Sequence, residues 1–223
     1  MKILITGSSR GIGYACALKF LSEGHGVYGI DVSPSAINDP GYVHFQADIR
    51  DAASLPEITD ANVLFNNAGV QNGGDDIDTN LRGTVKVTEK YIATNPELRS
   101  VLFNASASAV SGQEFPLYAA SKAGVVGYMK NVAIRLAPRG ITVNAISLGG
   151  VFTPLNDPVI NDPESWRRIM DVTPLKKWMS ADEVAEWVMF LTITNRSMSG
   201  QNLLIDNGEY GLTSTFVWPD DGK

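Results

Sequence analysis

Tyr118 and Lys122 stand four residues apart in the run Tyr118-Ala119-Ala120-Ser121-Lys122. The surrounding stretch reads as a helix, so a phenol and an ammonium project from one face. That pairing suits acid–base chemistry. A free tyrosine titrates near pH 10, roughly, and exchanges protons poorly at neutral pH unless a neighbouring buried cation favours its phenolate. Lowering it by three units takes about 4 kcal/mol, which a desolvated ammonium with a second positive charge nearby can supply. Tyr-x-x-x-Lys also arises as a half-buried tyrosine beside a solvated lysine, so the pair takes its meaning from its surroundings.

A second constellation opens the chain. Ile3-Leu4-Ile5-Thr6 is a buried-strand run followed at once by Gly7-Ser8-Ser9-Arg10-Gly11-Ile12-Gly13 and an apolar-periodic helix. Glycines at a tight turn, a close backbone approach and a helix–strand contact leave the helix N-terminus free for a pyrophosphate. The spacing Gly-x3-Gly-x-Gly departs by one residue from the usual dinucleotide fingerprint. Asp31 ends the second strand, eighteen residues after Gly13. A carboxylate there accepts hydrogen bonds from both ribose hydroxyls of an adenosine and repels a 2′-phosphate, which favours NAD over NADP. Arg10 works against that preference. Alternatively, Asp31 caps the Asp31-Val32-Ser33-Pro34 turn.

The elements that position these residues follow from patterning. Apolar runs of four to six residues alternate with helical-period segments, the pattern of an α/β chain with a parallel sheet and crossover helices. Strands are expected at about 2–6, 26–31, 42–46, 62–66, 100–105, 140–147 and 202–206. Helices are expected at 11–23, near 51–57, and at about 76–94, 117–137 and 181–193. Between Asp31 and Tyr42 a compact loop replaces a crossover helix. The segment 149–180, with Pro154, Pro158, Pro163 and Pro174 and an apolar-aromatic patch from Trp166 to Met170, reads as a substrate lid with a helix of its own.

Composition narrows the partners. With 223 residues the chain suits one domain spanning 1–223, and a net charge of −6 without basic runs argues against nucleic acid or an anionic membrane as partner. Cys16 is the only cysteine, so there is no internal disulfide or thiolate metal cluster. His25 and His44 are isolated, and no metal is expected. The sequence starts directly as a strand, without a leader pattern or membrane-length apolar run, from which a cytoplasmic protein with a small-molecule partner is expected.

Thr6-Gly7-x3-Gly11-x-Gly13, Asn66-Asn67-Ala68-Gly69 and Tyr118-x3-Lys122, in this order, make the chain similar to the classical short-chain dehydrogenases/reductases over nearly its whole length. The resemblance implies a single Rossmann-type doubly wound parallel sheet, seven strands in order 3-2-1-4-5-6-7, with helices on both faces. It also implies NAD(P)-dependent interconversion of an alcohol and a carbonyl, and a homo-oligomer, usually a tetramer. Tyr118 takes the role of acid/base, and Lys122 binds the nicotinamide ribose and depresses the tyrosine. Ser106 aligns best as the serine that hydrogen-bonds the substrate oxygen, with Ser108 the fallback because the intervening loop is one residue short. Asn80 matches the asparagine that kinks its helix and holds a water, although only fourteen residues separate it from Asn66, fewer than in most members.

For the cofactor, the resemblance brings in Asp48 and Ile49 over the adenine and Asn67, Ala68 and Gly69 beside the adenosine. Thr153 holds the nicotinamide carboxamide and Val151 offers backbone groups, while Leu148 stands where the family usually has proline. Substrate contacts are expected from Gln113, Leu148, Gly150, Phe152 and the lid. Two other functions share the scaffold: a dinucleotide-sensing protein without catalysis, and an epimerase or dehydratase. The latter class is expected to carry a sizeable further domain, whereas seventeen residues follow Asp206, so it ranks below a dehydrogenase/reductase.

Overall fold

A computed structural model describes residues 1–210 and 212, so the end of the expected 1–223 domain lies outside the described residues. Seven parallel strands form one sheet in the order β3-β2-β1-β4-β5-β6-β7. They are β1 (Lys2–Thr6), β2 (Gly26–Asp31), β3 (Tyr42–Gln46), β4 (Val63–Asn66), β5 (Ser100–Asn104), β6 (Thr142–Leu148) and β7 (Asn202–Ile205). The central strands are apolar at consecutive positions because both sheet faces are covered. Ile3, Ile5, Val63, Phe65 and Leu102 face one core, with Cys16 and Phe20 of α1 (Gly11–Ser22) and Val184 and Val188 of α7 (Ala181–Met189). Leu4, Leu64, Val101 and Phe103 face the other, with Tyr91 of α2 (Thr84–Thr94) and Val125 and Met129 of α4 (Pro116–Leu136). Alternation along each strand thus serves two cores at once.

The departures from expectation have local causes. No helix forms at 51–57; turns replace it, because Asp51 accepts from the Ala53 amide at 3.0 Å and the Ser54 hydroxyl donates to the Asp51 carbonyl at 2.8 Å. The expected 76–94 helix begins as a π-helical stretch, Ile77–Gly83, before α2, and the 181–193 helix ends in another, Phe190–Thr194. A four-residue helix, α3 (Ser108–Ser111), was not foreseen. The lid carries α5 (Asp157–Ile160) and α6 (Pro163–Val172), pinned to the sheet side by a bridge between Val151 and Met179. Between β2 and β3 there is only loop, as expected. Among the described residues, no helix is long and apolar enough to cross a membrane.

Candidate active site

The carboxyl ends of β1, β2, β4, β5 and β6 open into one elongated cavity of about 750 Å³. Its first end is the glycine turn. Gly7 and Gly11 adopt φ of +71° and +56°, a left-handed backbone that side chains resist. A Cβ on Gly13 would overlap the Gly7 carbonyl and lie 2.6 Å from Asn67 Nδ2. Asn67 Nδ2 itself donates to the Thr6 and Gly7 carbonyls, both at 3.0 Å, while Thr6 Oγ1 accepts from the Asn67 and Ala68 amides at 3.0 and 3.1 Å. No side chain caps α1 and no acidic residue stands in its first turn, so its N-terminal amides are available to an anion.

Gly13→Ala is therefore expected to force the turn and Asn67 apart. A strain of about 1–3 kcal/mol should appear as a lowered Tm in thermal unfolding, with dinucleotide affinity falling more than tenfold in a fluorescence titration.

Asp31, at the end of β2, accepts from the Ser9 amide through Oδ2 (3.0 Å) and from the Ser33 amide through Oδ1 (2.9 Å). Asp31 thus caps the turn and also lines the cavity. A carboxylate has about four acceptor positions, and two bonds leave two for a pair of ribose hydroxyls. Asp48, Ile49, Ala68 and Gly69 line the same end. Asp48 is gripped by the Arg50 guanidinium, with Nη2 to Oδ2 at 2.7 Å, which holds its carboxyl below the usual range. Arg10 lines the cavity and forms no ion pair with a described residue, whereas Arg50 also pairs with Asp75 at 2.8 Å. These residues fit a dinucleotide.

At the other end, Ser106, Tyr118 and Lys122 meet on one wall. Lys122 is buried, 5 % exposed, with Nζ donating to the Asn104 carbonyl at 2.9 Å and lying 5.7 Å from the centre of the Tyr118 ring. Burial pushes its ammonium down to about 8, partly offset by the charges of Glu114 and Asp76. Burial pushes the Tyr118 phenol up to about 12, and a hydrogen bond with Ser106 pulls the other way. The depressed tyrosine expected from the sequence is thus not a property of the protein groups alone: desolvation, reinforced by the charges of Glu114 and Asp76, outweighs the Ser106 bond.

Asn80 lies beneath this wall. Its side chain exchanges hydrogen bonds with the Val70 backbone at 2.8 and 2.9 Å and donates to Ser121 Oγ at 3.0 Å; Ser121 in turn donates to the Tyr118 carbonyl at 2.7 Å. Its place in the π-helical stretch is a deformation of the helix. The short approach from Asn66 is closed by Asp76, which accepts from the Asn72 and Gly74 amides at 2.9 and 3.3 Å.

Several expected contacts fall elsewhere. Gln113 is exposed and outside the cavity wall; the positive φ of Gly112 and Glu114, +71° and +72°, turns the chain so that Glu114 and Phe115 line it instead. Phe152 also lies off the wall, packed on Trp166 and Trp178 at ring distances of 5.5 and 6.2 Å. Ser9 reaches the site only through its bond to Asp31. Ser108 is 1 % exposed and off the wall, its amide donating to Ser106 Oγ at 3.2 Å, so Ser106 is the serine facing Tyr118.

Leu148, Gly150, Val151 and Thr153 do line the cavity. Leu148 extends the β6 pairing one residue beyond expectation, opposite Ile205. Gly150 seats the Trp178 indole, which a Cβ would overlap. Glu209 and Tyr210 complete the wall and were missed, since nothing in Gly208-Glu209-Tyr210 marks them before β7 places them. Asp206 accepts from the Gly208 and Tyr210 amides at 2.9 and 2.7 Å, and burial, reinforced by Asp206 and Glu114, pushes Glu209 up to about 7.

Residues 7–209 match a family model described as enoyl-(acyl carrier protein) reductase. The chain belongs to the short-chain dehydrogenase/reductase family. It is 31% identical to a 3-oxoacyl-[acyl-carrier-protein] reductase of Staphylococcus aureus, an alignment covering 93% of this chain and 97% of that protein. Levodione reductase has a similar structure, with a TM-score of 0.83 and 27% identity over 94% of this chain and 97% of the other. Members of this fold differ in cofactor. A 4-hydroxyisoleucine dehydrogenase (TM-score 0.84, 21% identity, 95% and 99% of the chains) is complexed with NADH. An Agrobacterium tumefaciens protein described as a 2-deoxy-d-gluconate 3-dehydrogenase (0.84, 23%, 93% and 95%) holds NADP. As a family member the chain is an oxidoreductase acting on CH–OH/C=O.

Proposed function

We propose that this protein is an NAD(H)-dependent oxidoreductase that interconverts a secondary alcohol and a ketone on a small molecule. The observation that carries the reading is the convergence of Ser106, Tyr118 and Lys122 on one wall of the cavity whose far end holds the glycine turn and Asp31. The nicotinamide, bound at that wall, supplies or accepts hydride. Tyr118 gives a proton to the carbonyl oxygen in reduction and removes it from the alcohol in oxidation. Ser106 donates a hydrogen bond to the same oxygen and stabilises the charge that develops there.

Lys122, held by the Asn104 carbonyl, binds the nicotinamide ribose and favours the phenolate. Thr153 and Val151 hold the carboxamide side; the Val151 carbonyl accepts from Asn156 Nδ2 at 2.9 Å, which leaves one acceptor position on that oxygen beside the amide. Glu114 and Glu209 line the substrate end, and the only Lys or Arg among the described residues there is Lys122 itself. An uncharged or cationic alcohol suits that wall better than an anionic one. The reading includes one domain, a homo-oligomer and a cytoplasmic site of action.

A panel of secondary alcohols and ketones, followed by NADH absorbance, tests it. Turnover of at least one pair supports the reading; tight NADH binding with none turned over replaces it with a dinucleotide-sensing role. Asp31→Ala is expected to lower the (kcat/KM) ratio of NAD to NADP at least tenfold, about 1.4 kcal/mol, and an unchanged ratio would remove Asp31 as the selector.

A further inference from the structure

Asp31 does not stand alone at the end of β2. The Ser8 hydroxyl lies 2.9 Å from the Tyr42 hydroxyl, which lies 3.2 Å from His44 Nδ1, and His44 Nε2 lies 3.0 Å from the Ser33 carbonyl oxygen. That carbonyl also accepts from Ser9 Oγ at 3.2 Å, while the Ser33 and Ser9 amides hold the two Asp31 oxygens. The bonds close a ring through the glycine turn, β3 and the start of the loop after β2.

With an uncharged imidazole, one proton order runs through it. A carbonyl only accepts, so His44 carries hydrogen on Nε2, and an uncharged ring then accepts at Nδ1. Tyr42 therefore donates to His44, and Ser8, which is fully buried, donates to Tyr42. Tyr42 and His44 are two apart on β3, so they share a face, and their rings stack with centres 6.1 Å apart. Gly29 makes room for them: a Cβ there would overlap both the Tyr42 and Ser8 hydroxyls. The loop they brace has no helix of its own, and among the described residues the side chains that tether Ser33 are Asp31 at its amide and Ser9 and His44 at its carbonyl.

We propose that Tyr42 and His44 are specificity-determining positioning residues for the dinucleotide: through Ser33 and Ser8 they hold the Asp31 carboxylate in the orientation that meets an adenosine 2′-hydroxyl and rejects a 2′-phosphate. The inference rests on the reading of Asp31 as the selector. Neither Tyr42 nor His44 lines the cavity, so each acts by placing another group.

The test is direct titration of the full chain with NADH and with NADPH, read by fluorescence, for the wild type, Tyr42→Phe, Asp31→Ala and the double variant. Tyr42→Phe keeps the ring and removes the two hydroxyl bonds. It is expected to weaken NADH binding about three- to tenfold and leave NADPH within twofold, so that the preference drops. In the Asp31→Ala background the same change should have no further effect on the ratio, which a general loosening of the fold would not reproduce. His44→Phe, which removes the bond to Ser33, should act in the same direction, so the proposal does not depend on one variant folding.

A preference for NADH that survives Tyr42→Phe and His44→Phe, or effects that add to Asp31→Ala, overturns the inference while leaving the functional reading in place. A wild type that binds neither dinucleotide, or both equally, overturns Asp31 as selector and the inference with it.

Discussion

Tyr118→Phe is expected to lower kcat by about 100- to 10,000-fold while leaving NADH affinity within about twofold. The substitution deletes only the hydroxyl. The ring that stands 5.7 Å from Lys122 Nζ is retained, as are the Lys122 bond to Asn104 and the Ser106 position. What disappears is the proton that must reach or leave the substrate oxygen, so the loss should fall equally on kcat and kcat/KM, the signature of an interaction made in the transition state. The alcohol-oxidising direction should also gain rate with rising pH in the wild type, because the phenol, pushed up by burial, has to release its proton first. A variant that keeps more than a tenth of the wild-type rate would show that the proton goes elsewhere.

Lys122→Met should move activity and stability in different directions. Turnover is expected to fall at least a hundredfold, about 2.7 kcal/mol of transition-state stabilisation, since the charge that favours the phenolate is gone. Stability should respond to pH in a way that identifies the residue. The ammonium titrates at about 8 in the folded chain against 10.5 when free, so above pH 8 the unfolded chain holds a proton that the folded chain has lost. Unfolding free energy therefore rises with pH from about 8 to 10.5 through this group, by about 3 kcal/mol in total at 1.36 kcal/mol per unit. Cys16 acts in the opposite sense over part of that range, because burial raises its thiol, but it does so in both proteins. The difference between wild type and Lys122→Met in denaturant unfolding at pH 7.5 and 9.5 isolates the lysine. A difference that stays constant across that interval would mean that Lys122 is not held as a costly buried cation.

The sheet was legible because its strands are short apolar runs bounded by turn residues, and the two-sided burial that makes Ile3, Leu4 and Ile5 all apolar also makes them conspicuous. The chemical groups were legible as motifs because close packing tolerates few alternatives: the close approach at Gly13 is written as glycine. Other features depend on partners distant in sequence. Periodicity does not distinguish a π-helical stretch from an α-helix, so the deformation around Asn80 emerges only where Val70 and Ser121 take its amide. Gln113 is the expected amide handle, and the left-handed turn through Gly112 and Glu114 brings Glu114, not Gln113, to the cavity wall. Glu209 enters the wall through a turn tied by Asp206, and Tyr42 and His44 connect to Asp31 through Ser8, Ser9 and Ser33, neither of which spacing encodes. The tyrosine's elevated titration likewise follows from burial, which the Tyr-x-x-x-Lys spacing does not report.

The central claim is that hydride and proton leave the substrate by separate routes, the proton through Tyr118. It is tested most directly by oxidising, with NAD⁺ in ordinary water, a secondary alcohol from the panel that carries deuterium on its carbinol carbon, and then analysing the reduced cofactor by mass spectrometry. The account predicts a single deuterium on the nicotinamide and a rate lowered in proportion by Tyr118→Phe. Deuterium returned to the substrate carbon, or a cofactor reduced without label, would contradict it.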